Sequence, residues 1–276
     1  MNVIPTPPKH DESTSSGSVS PARRRFILLS AVAGLAAIAS PYVVPRLLRR
    51  FELTPDLYRG PLLDKIDELV GRLDRREITQ EQFVNEVHRR YNDVDLQAEF
   101  NEWLGDSPEN RVNRELYRQS DRLKGRKRTL TLFYIPPRRS HPPHAHHNAA
   151  SVQCVLKGNA QVRQYERVAR HDPRTIKLLP VSDVILRPYE SILMTEYERN
   201  VHWFGSDDRP AVVLNYSING GFNDTFDAQN QRPIGRYYVD PTVGDSEGRL
   251  ILAPEIGVEA AHDKFSPHAI REFNLR

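Results

Sequence analysis

Between residues 127 and 218 the chain is a succession of short runs rich in β-branched and aromatic side chains. The first run, 129–135, ends at a Pro-Pro pair, and prolines interrupt a strand because they cannot donate to its ladder. Polar segments at 157–159 and 206–210 are turn signals between antiparallel neighbours. Many short strands joined by polar turns are typical of a sandwich or barrel. The other predicted strands of this region are 151–156, 160–168, 184–186, 191–197, 201–204 and 211–218.

Upstream, residues 51–126 form a region in which we predict helices. Apolar residues recur at spacings of three and four from Leu62 to Leu73, which indicates one buried helical stripe. A second helix is predicted to open at Thr79, because Thr-x-x-Gln is a capping box. A third helix is expected to contain Phe100 and Trp103. These helices are expected to pack on the β-structure and to carry no chemistry.

The N-terminus predicts export from the cytoplasm. Residues 1–22 are rich in Pro, Ser, Thr and Gly, a composition that favours disorder. Residues 23–45 begin with three arginines and Phe26 and continue as an uncharged, modestly apolar stretch, which resembles a twin-arginine signal. The alternative is an uncleaved membrane anchor. The first interpretation implies the twin-arginine export machinery as a partner, and the second implies a membrane. Both place the rest of the protein outside the cytoplasm, in the periplasm or on the outer face of the inner membrane.

The charge and the cysteine content limit the expected binding partners and disulfide bonds. The formal net charge is +3, and the arginines are spread along the chain, so we expect no nucleic-acid partner and instead a small-molecule substrate. The single cysteine, Cys154, excludes an intrachain disulfide. The fold must therefore be stable without one.

A cluster of histidines predicts a metal site. Four of the ten histidines lie within 141–147. His144 and His146 are separated by one residue, so on a strand both imidazoles leave the same face. His202, in an apolar-aromatic run, is the candidate third ligand, and neutral imidazoles suit iron, copper and zinc. His141 and His147 are assigned to supporting hydrogen bonds or exposed positions.

The spacing of these residues resembles the cupin superfamily. His144 and His146 match its His-x-His pair, Gly158 matches the glycine that turns into the next strand, and His202 falls where cupins place their final histidine. The resemblance covers about 128–218. It implies a mainly β fold, a cupin-type β-barrel or jelly roll over 127–276, with a loop-rich C-terminal extension and a small N-terminal helical region before it.

One departure from the common cupin pattern points to a branch of the superfamily. Metal-binding cupins usually carry a glutamate five residues after the second histidine, and this chain has Ser151 there. Three histidines without that glutamate resemble the thiol dioxygenases, of which cysteine dioxygenase is one. The resemblance implies a mononuclear iron(II) enzyme that uses O₂ to oxidise a small thiol to a sulfinic acid. Zinc or nickel would suit three histidines nearly as well by ligand type.

The same resemblance assigns further site residues. Arg118, or Arg122 as its alternative, would bind a substrate carboxylate, a task suited to the guanidinium fork. Tyr216 lies near the place of a family tyrosine beside the iron. Animal forms crosslink that tyrosine to a cysteine at the position of Ser151, and Cys154 is out of register for this crosslink. A second hypothesis is a non-catalytic exported cupin that binds a metal or small ligand, since fold does not fix function.

Overall fold

The computed structural model describes residues 58–121, 125–220, 235–244 and 246–273. All of them lie in one compact unit, Thr54–Arg276, and the other unit, Met1–Leu53, is outside the described residues. The predicted disordered N-terminus, the predicted export signal and Arg122 are also outside them. Within the described part of the chain, no helix is long and apolar enough to cross a membrane.

Three helices precede the strands, as the periodicity predicts: α1 (Pro61–Asp74), α2 (Gln80–Asn92) and α3 (Leu96–Leu104). The predicted capping box opens α2, because the Thr79 side chain accepts from the Gln82 amide and Gln82 returns a bond to the Thr79 amide. Asp95 caps α3 through Ala98. Each cap satisfies amides that a helix start leaves without partners, and is worth about 0.5–2 kcal/mol.

In the described residues twelve strands follow, with a fourth α-helix toward the end, α4 (Val258–Phe265). The strands are β1 (Arg114–Asp121), β2 (Arg126–Ile135), β3 (Ser140–His147), β4 (Ala149–Lys157), β5 (Ala160–Asp172), β6 (Thr175–Leu186), β7 (Ser191–Met194), β8 (Val201–Ser206), β9 (Ala211–Asn219), β10 (Gly235–Val239), β11 (Ser246–Glu247) and β12 (Leu250–Ile256). Every predicted strand is present. The segment 114–121, inside the region for which helices are predicted, is instead a strand because it pairs with β2.

The strand order is that of a jelly roll. One sheet has the order β1-β2-β9-β4-β7 and the other β10-β3-β8-β5-β6-β12-β11. Four of the strands β2 to β9 lie in each sheet, and the chain changes sheet after every one of them except between β5 and β6, which is the interleaving produced by two Greek keys. All the pairings of these eight strands are antiparallel. The fold is therefore the mainly β, cupin-type jelly roll that the histidine and glycine spacing predicts, built as two sheets.

The glycine of the predicted motif has a steric reason. Gly158, between β4 and β5, has φ +75°, and a Cβ there would lie 2.0 Å from the carbonyl oxygen of Pro210. Only glycine fits this turn, because it tolerates positive φ and has no Cβ to clash.

The helices and the two sheets divide the interior into layers. The helices cover the outer face of the first sheet, where their buried stripes meet Leu130, Val152 and Leu214. Between the sheets, an apolar core that includes Val162 and Val213 fills one end. Burial of each such side chain contributes roughly 1.5–3 kcal/mol. The other end of the space between the sheets is left as a cavity.

The C-terminal extension adds strands to both flanks of the second sheet. Strand β10 pairs with β3, β12 pairs with β6, and β10 and β12 also pair with each other. A third core, which includes Tyr165 and Tyr237, lies behind this sheet. The extension is therefore part of the sheet that carries the histidines.

Candidate metal centre

Two adjacent strands bring the three predicted ligands together. His144 and His146 alternate along β3 with Ala145 and His147, so the first pair faces the cavity and the second pair faces the core behind the sheet. Strand β8 runs antiparallel beside β3 and sets His202 directly opposite His144. Directly paired residues point to the same face of a sheet. The register therefore gathers three imidazoles at one point.

The geometry of these imidazoles fits a shared ion. The ring centroids of His144 and His202 are 4.3 Å apart, those of His144 and His146 are 5.0 Å apart, and those of His146 and His202 are 5.4 Å apart. One ring nitrogen of each lies within 4.8 Å of the other two. Nitrogens that share an ion at about 2.1 Å are roughly 3–4 Å apart, so small ring rotations complete the site. The three histidines form a group that could hold a metal ion.

Hydrogen bonds fix which nitrogen of two rings is free. His144 Nδ1 lies 2.8 Å from the carbonyl oxygen of Pro142, and His202 Nδ1 lies 3.2 Å from that of Asn200. Because a carbonyl oxygen only accepts, both Nδ1 atoms carry the proton and donate it. The Nε2 lone pairs of both rings are thus available to a metal, as in most histidine sites.

The environment keeps the histidines neutral. Burial, followed by the nearby Arg236 charge, lowers the pKa of His202 to about 3 and the pKa of both His144 and His146 well below the ordinary value. A neutral imidazole is the form that binds metals. No proton therefore has to be displaced from these rings near neutral pH.

The histidines line one side of a cavity of about 220 Å³ between the two sheets. Its apolar wall includes Phe133, Phe204 and Met194. Most of the lining contributed by the first sheet is polar and uncharged, with Phe133, Ala149 and Met194 as its apolar members. The polar residues are Thr129, Thr131, Ser151, Gln153, Asn215, Ser217 and Asn219. No carboxylate is among the described residues that line this cavity.

Arg236 is a pocket residue that the sequence analysis missed. It lies on β10, opposite His146, and lines the cavity. It is exposed, and no ion-pair partner for it is present in the described ranges. Its position could not be predicted from the sequence. More than a dozen residues separate β10 from β9, and no pattern in this segment predicts that β10 pairs with β3.

Arg118 lies at the margin of the site. It sits on edge strand β1 directly opposite the pocket-lining Thr129, and therefore on the same face of the sheet. Its Nε lies 2.6 Å from a carboxylate oxygen of Glu115, and it is not among the residues that line the cavity. The structure does not bring its guanidinium to the histidines, and its role in substrate binding stays a prediction.

Tyr216 is placed away from the metal site, contrary to the sequence analysis. On β9 the cavity is lined by Asn215 and Ser217, and Tyr216 between them faces the helical layer. Its ring centroid is 6.3 Å from that of Phe83 on α2. The tyrosine is fully buried on the far side of the sheet. A residue on that face cannot reach a ligand bound between the sheets.

The other two histidines of the cluster lie on opposite faces of the second sheet, and their predicted supporting roles stay predictions. His141 lines the cavity beside Phe133, with ring centroids 5.1 Å apart, and burial lowers its pKa to about 4. His147 faces the other side of the sheet and stacks on Tyr237 at 4.5 Å. Ser151 lines the cavity, whereas Cys154 lies in the helical-layer core. The crosslink of the animal forms cannot form at its own position, because that position is Ser151.

A buried polar network supports the histidines from behind. The fully buried Asn200 accepts from the His146 amide through Oδ1 at 2.9 Å and donates to the carbonyl oxygen of Thr195 at 3.0 Å. The neighbouring Glu196 forms a buried ion pair with Arg167 at 2.7 Å and accepts from the Ala149 amide. This network ties the segment before β8 to the end of β3 that carries the ligands.

Comparisons with known proteins concern the fold alone. No family model matches the sequence, and a search of curated proteins found no match. Among solved structures, the chain is similar to a cupin superfamily protein from Desulfitobacterium hafniense, with 13% identity over 38% of this chain and 73% of that one and a TM-score of 0.27. It is also similar to an oxalate oxidase, with 16% identity, coverage of 57% and 66%, and a TM-score of 0.30.

An 11S globulin from Wrightia tinctoria matches with 14% identity over 33% of this chain and a TM-score of 0.25. The match spans 20% of the length of that globulin. All three TM-scores are below 0.5, so the assignment of the fold rests on the strand order and pairing of this chain.

Proposed function

We propose that this protein is a mononuclear, metal-dependent dioxygenase that oxidises a small, anionic thiol to a sulfinic acid. The observation that carries the proposal is the convergence of three neutral histidines on a cavity without any carboxylate in its described lining. A divalent ion held by neutral ligands keeps its full charge. Such a site favours an anionic substrate, which a thiolate with a carboxylate provides.

The residues present fit an iron(II) ion, and by ligand type they also fit zinc or nickel. His144, His146 and His202 would hold it, with the Nε2 atoms of His144 and His202 as ligands because both Nδ1 atoms are engaged by carbonyl oxygens. Iron in this position would supply the binding of the thiolate and the activation of O₂.

The overall reaction adds both atoms of O₂ to the substrate sulfur. The thiol and O₂ together become the sulfinic acid, in which the sulfur has lost four electrons and the two oxygen atoms have gained them. No other reductant is needed. This balance matters because the cavity offers no described residue that could supply electrons.

The chain's own side chains orient the substrate. Arg236 is the pocket cation that can pair with a substrate carboxylate, since it lines the cavity and has no ion-pair partner among the described residues. Phe133, Phe204 and Met194 form the apolar wall that limits water near the reacting sulfur. Arg118, at the edge of the same face, is the alternative carboxylate partner that the family resemblance implies.

The location remains part of the proposal. The arginine-rich start of 23–45 supports export by the twin-arginine machinery, with or without retention as a membrane anchor. An exported enzyme would meet its thiol outside the cytoplasm.

Oxygen uptake by the iron-loaded protein tests the function. We expect uptake that depends on an added thiol carboxylate and yields the matching sulfinate. His202→Ala should abolish it, and His171→Ala, which changes an exposed histidine on β5, should not. If an iron-loaded protein with bound thiol consumes no oxygen, the chain is instead a binding protein, the second hypothesis of the sequence analysis.

A further inference from the structure

The first sheet presents a polar surface to the histidines, which we call the floor: Thr129, Thr131, Ser151, Gln153, Asn215 and Ser217. These six residues stand on β2, β9 and β4 and all line the cavity. The strand register arranges them in two rows that run across the sheet. Thr131, Asn215 and Gln153 form one row, and Thr129, Ser217 and Ser151 form the next.

The floor is unusual for the inside of a jelly roll. Further along the same strands, the space between the sheets is filled by apolar residues such as Val155 and Val213. Gln153 and Ser151 are only 3% exposed. Burying polar side chains is unfavourable unless they are hydrogen-bonded, so a polar surface in this position calls for a reason other than stability.

Hydrogen bonds within the floor leave two buried acceptors without a partner. Gln153 Nε2 donates to Ser151 Oγ at 2.6 Å, and Asn215 Nδ2 donates to Thr131 Oγ1 at 3.3 Å. The hydroxyls of Thr129 and Ser217 pair with each other at 2.8 Å. The amide oxygens of Gln153 and Asn215 are buried and have no partner. The floor atoms that are buried without any partner are therefore both acceptors.

The charges around the floor determine which kind of hydrogen-bond donor of a ligand can bind there. Arg236 is the one charged residue among those described that line the cavity. At the β1 edge, Glu115 and Arg118 form an ion pair and cancel each other's charge. An ammonium group on the floor would therefore have no carboxylate free to compensate it and would face both Arg236 and a metal ion. A hydroxyl or an amide N–H carries no such penalty.

From these observations we infer that the floor recognises a neutral hydrogen-bond donor of the substrate, a hydroxyl or an amide N–H, through the amide oxygens of Gln153 and Asn215. This inference rests on the proposed function and names its substrate class. The substrate would be a small thiol carboxylate whose sulfur lies toward the histidines, whose carboxylate pairs with Arg236, and whose neutral donor meets the floor. The free amino acid cysteine, with its ammonium group, fits this surface less well.

Binding to zinc-loaded protein tests the inference without any oxygen chemistry. The probes are 3-mercaptolactate, which carries a hydroxyl, 3-mercaptopropionate, which lacks one, and cysteine, which carries an ammonium group. A second pair, lactate and propionate, differs in the same hydroxyl and contains no thiol. Dissociation constants are measured by calorimetry at fixed pH and ionic strength.

The wild-type protein should bind 3-mercaptolactate about tenfold more tightly than either 3-mercaptopropionate or cysteine, because only its hydroxyl gives a buried acceptor a neutral partner. The similarly sized substitutions Gln153→Met and Asn215→Leu should each reduce this preference to about twofold or less. Gln161→Met is the control, since Gln161 lies outside the cavity lining and bonds to Asp183. It should leave the preference intact.

The outcomes separate the two proposals. Equal binding of the two mercapto acids by the wild type, or a preference that survives both floor substitutions, overturns the inference even if the iron-loaded protein consumes oxygen. If no thiol binds but the protein prefers lactate over propionate and loses that preference in the floor variants, the floor is as inferred and the thiol dioxygenase is wrong. If none of the probes binds, the inference fails.

Discussion

Substitution of Asn200 by alanine should weaken both the fold and the metal site. The Asn200 side chain makes two hydrogen bonds in a fully buried position, one from the His146 amide and one to the Thr195 carbonyl oxygen. Alanine removes the partner of the buried Thr195 oxygen and of the partly buried His146 amide, and each such loss costs about 1–3 kcal/mol. The expected loss in the free energy of unfolding is therefore roughly 2–6 kcal/mol.

Metal affinity should fall as well, because Asn200 contacts two of the ligands. Its side chain fixes the backbone of His146, and its backbone carbonyl oxygen orients the His202 ring. His202 Nδ1 donates to that carbonyl at 3.2 Å. Loss of groups that orient metal ligands usually lowers metal affinity by about 10- to 100-fold. We expect that loss in Asn200→Ala at a temperature at which circular dichroism shows the variant folded.

Urea unfolding of the apoprotein and competition for zinc against a chelator measure the two effects. Asn92→Ala is the control, because Asn92 is exposed at the end of α2 and its side chain bonds only weakly to His88. A folded Asn200→Ala protein with wild-type zinc affinity would refute the reasoning, since it would show that the buried bonds stabilise the fold without positioning the ligands.

Three further predictions concern other parts of the molecule. Burial raises the pKa of the Cys154 thiol to about 12, so the thiolate fraction at pH 8 is about 10⁻⁴, and Ellman's reagent should label it only in urea; prompt labelling of the native protein would contradict this. Glu196→Ala removes the carboxylate of the buried ion pair with Arg167 and should lower the free energy of unfolding in urea by about 3–5 kcal/mol; an unchanged midpoint would show that the pair is not buried as described. Arg236→Gln should raise the dissociation constant of 3-mercaptopropionate from zinc-loaded protein by about 10- to 100-fold and leave that of the uncharged 2-mercaptoethanol unchanged; if Arg118→Gln has this effect and Arg236→Gln does not, Arg118 is the carboxylate partner.

Much of the fold can be predicted from the sequence, because local patterns decide it. The stripe from Leu62 to Leu73 and the capping box at Thr79 define helices by their spacing alone. The ligand set is predictable too. His144 and His146 need only share a strand face, and the distance to Gly158 and His202 fits one known arrangement of strands.

The site residues that the sequence analysis misplaced or missed depend on strand register and on pairing between distant segments. Tyr216 and its neighbour Asn215 differ by one residue, and a shift of one residue on a strand moves a side chain to the opposite face of the sheet. An alignment with a small gap cannot fix that choice. Arg236 reaches the cavity only because β10 pairs with β3, a contact between segments about 90 residues apart.

The most direct test of the central claim is an iron(II) titration of the anaerobic apoprotein, read by competition with a chelator. The account predicts one ion per chain, with affinity reduced at least 100-fold in His202→Ala and unchanged in His171→Ala. Binding of iron to the His202→Ala protein with wild-type affinity and stoichiometry would show that the three histidines between the sheets are not the metal site.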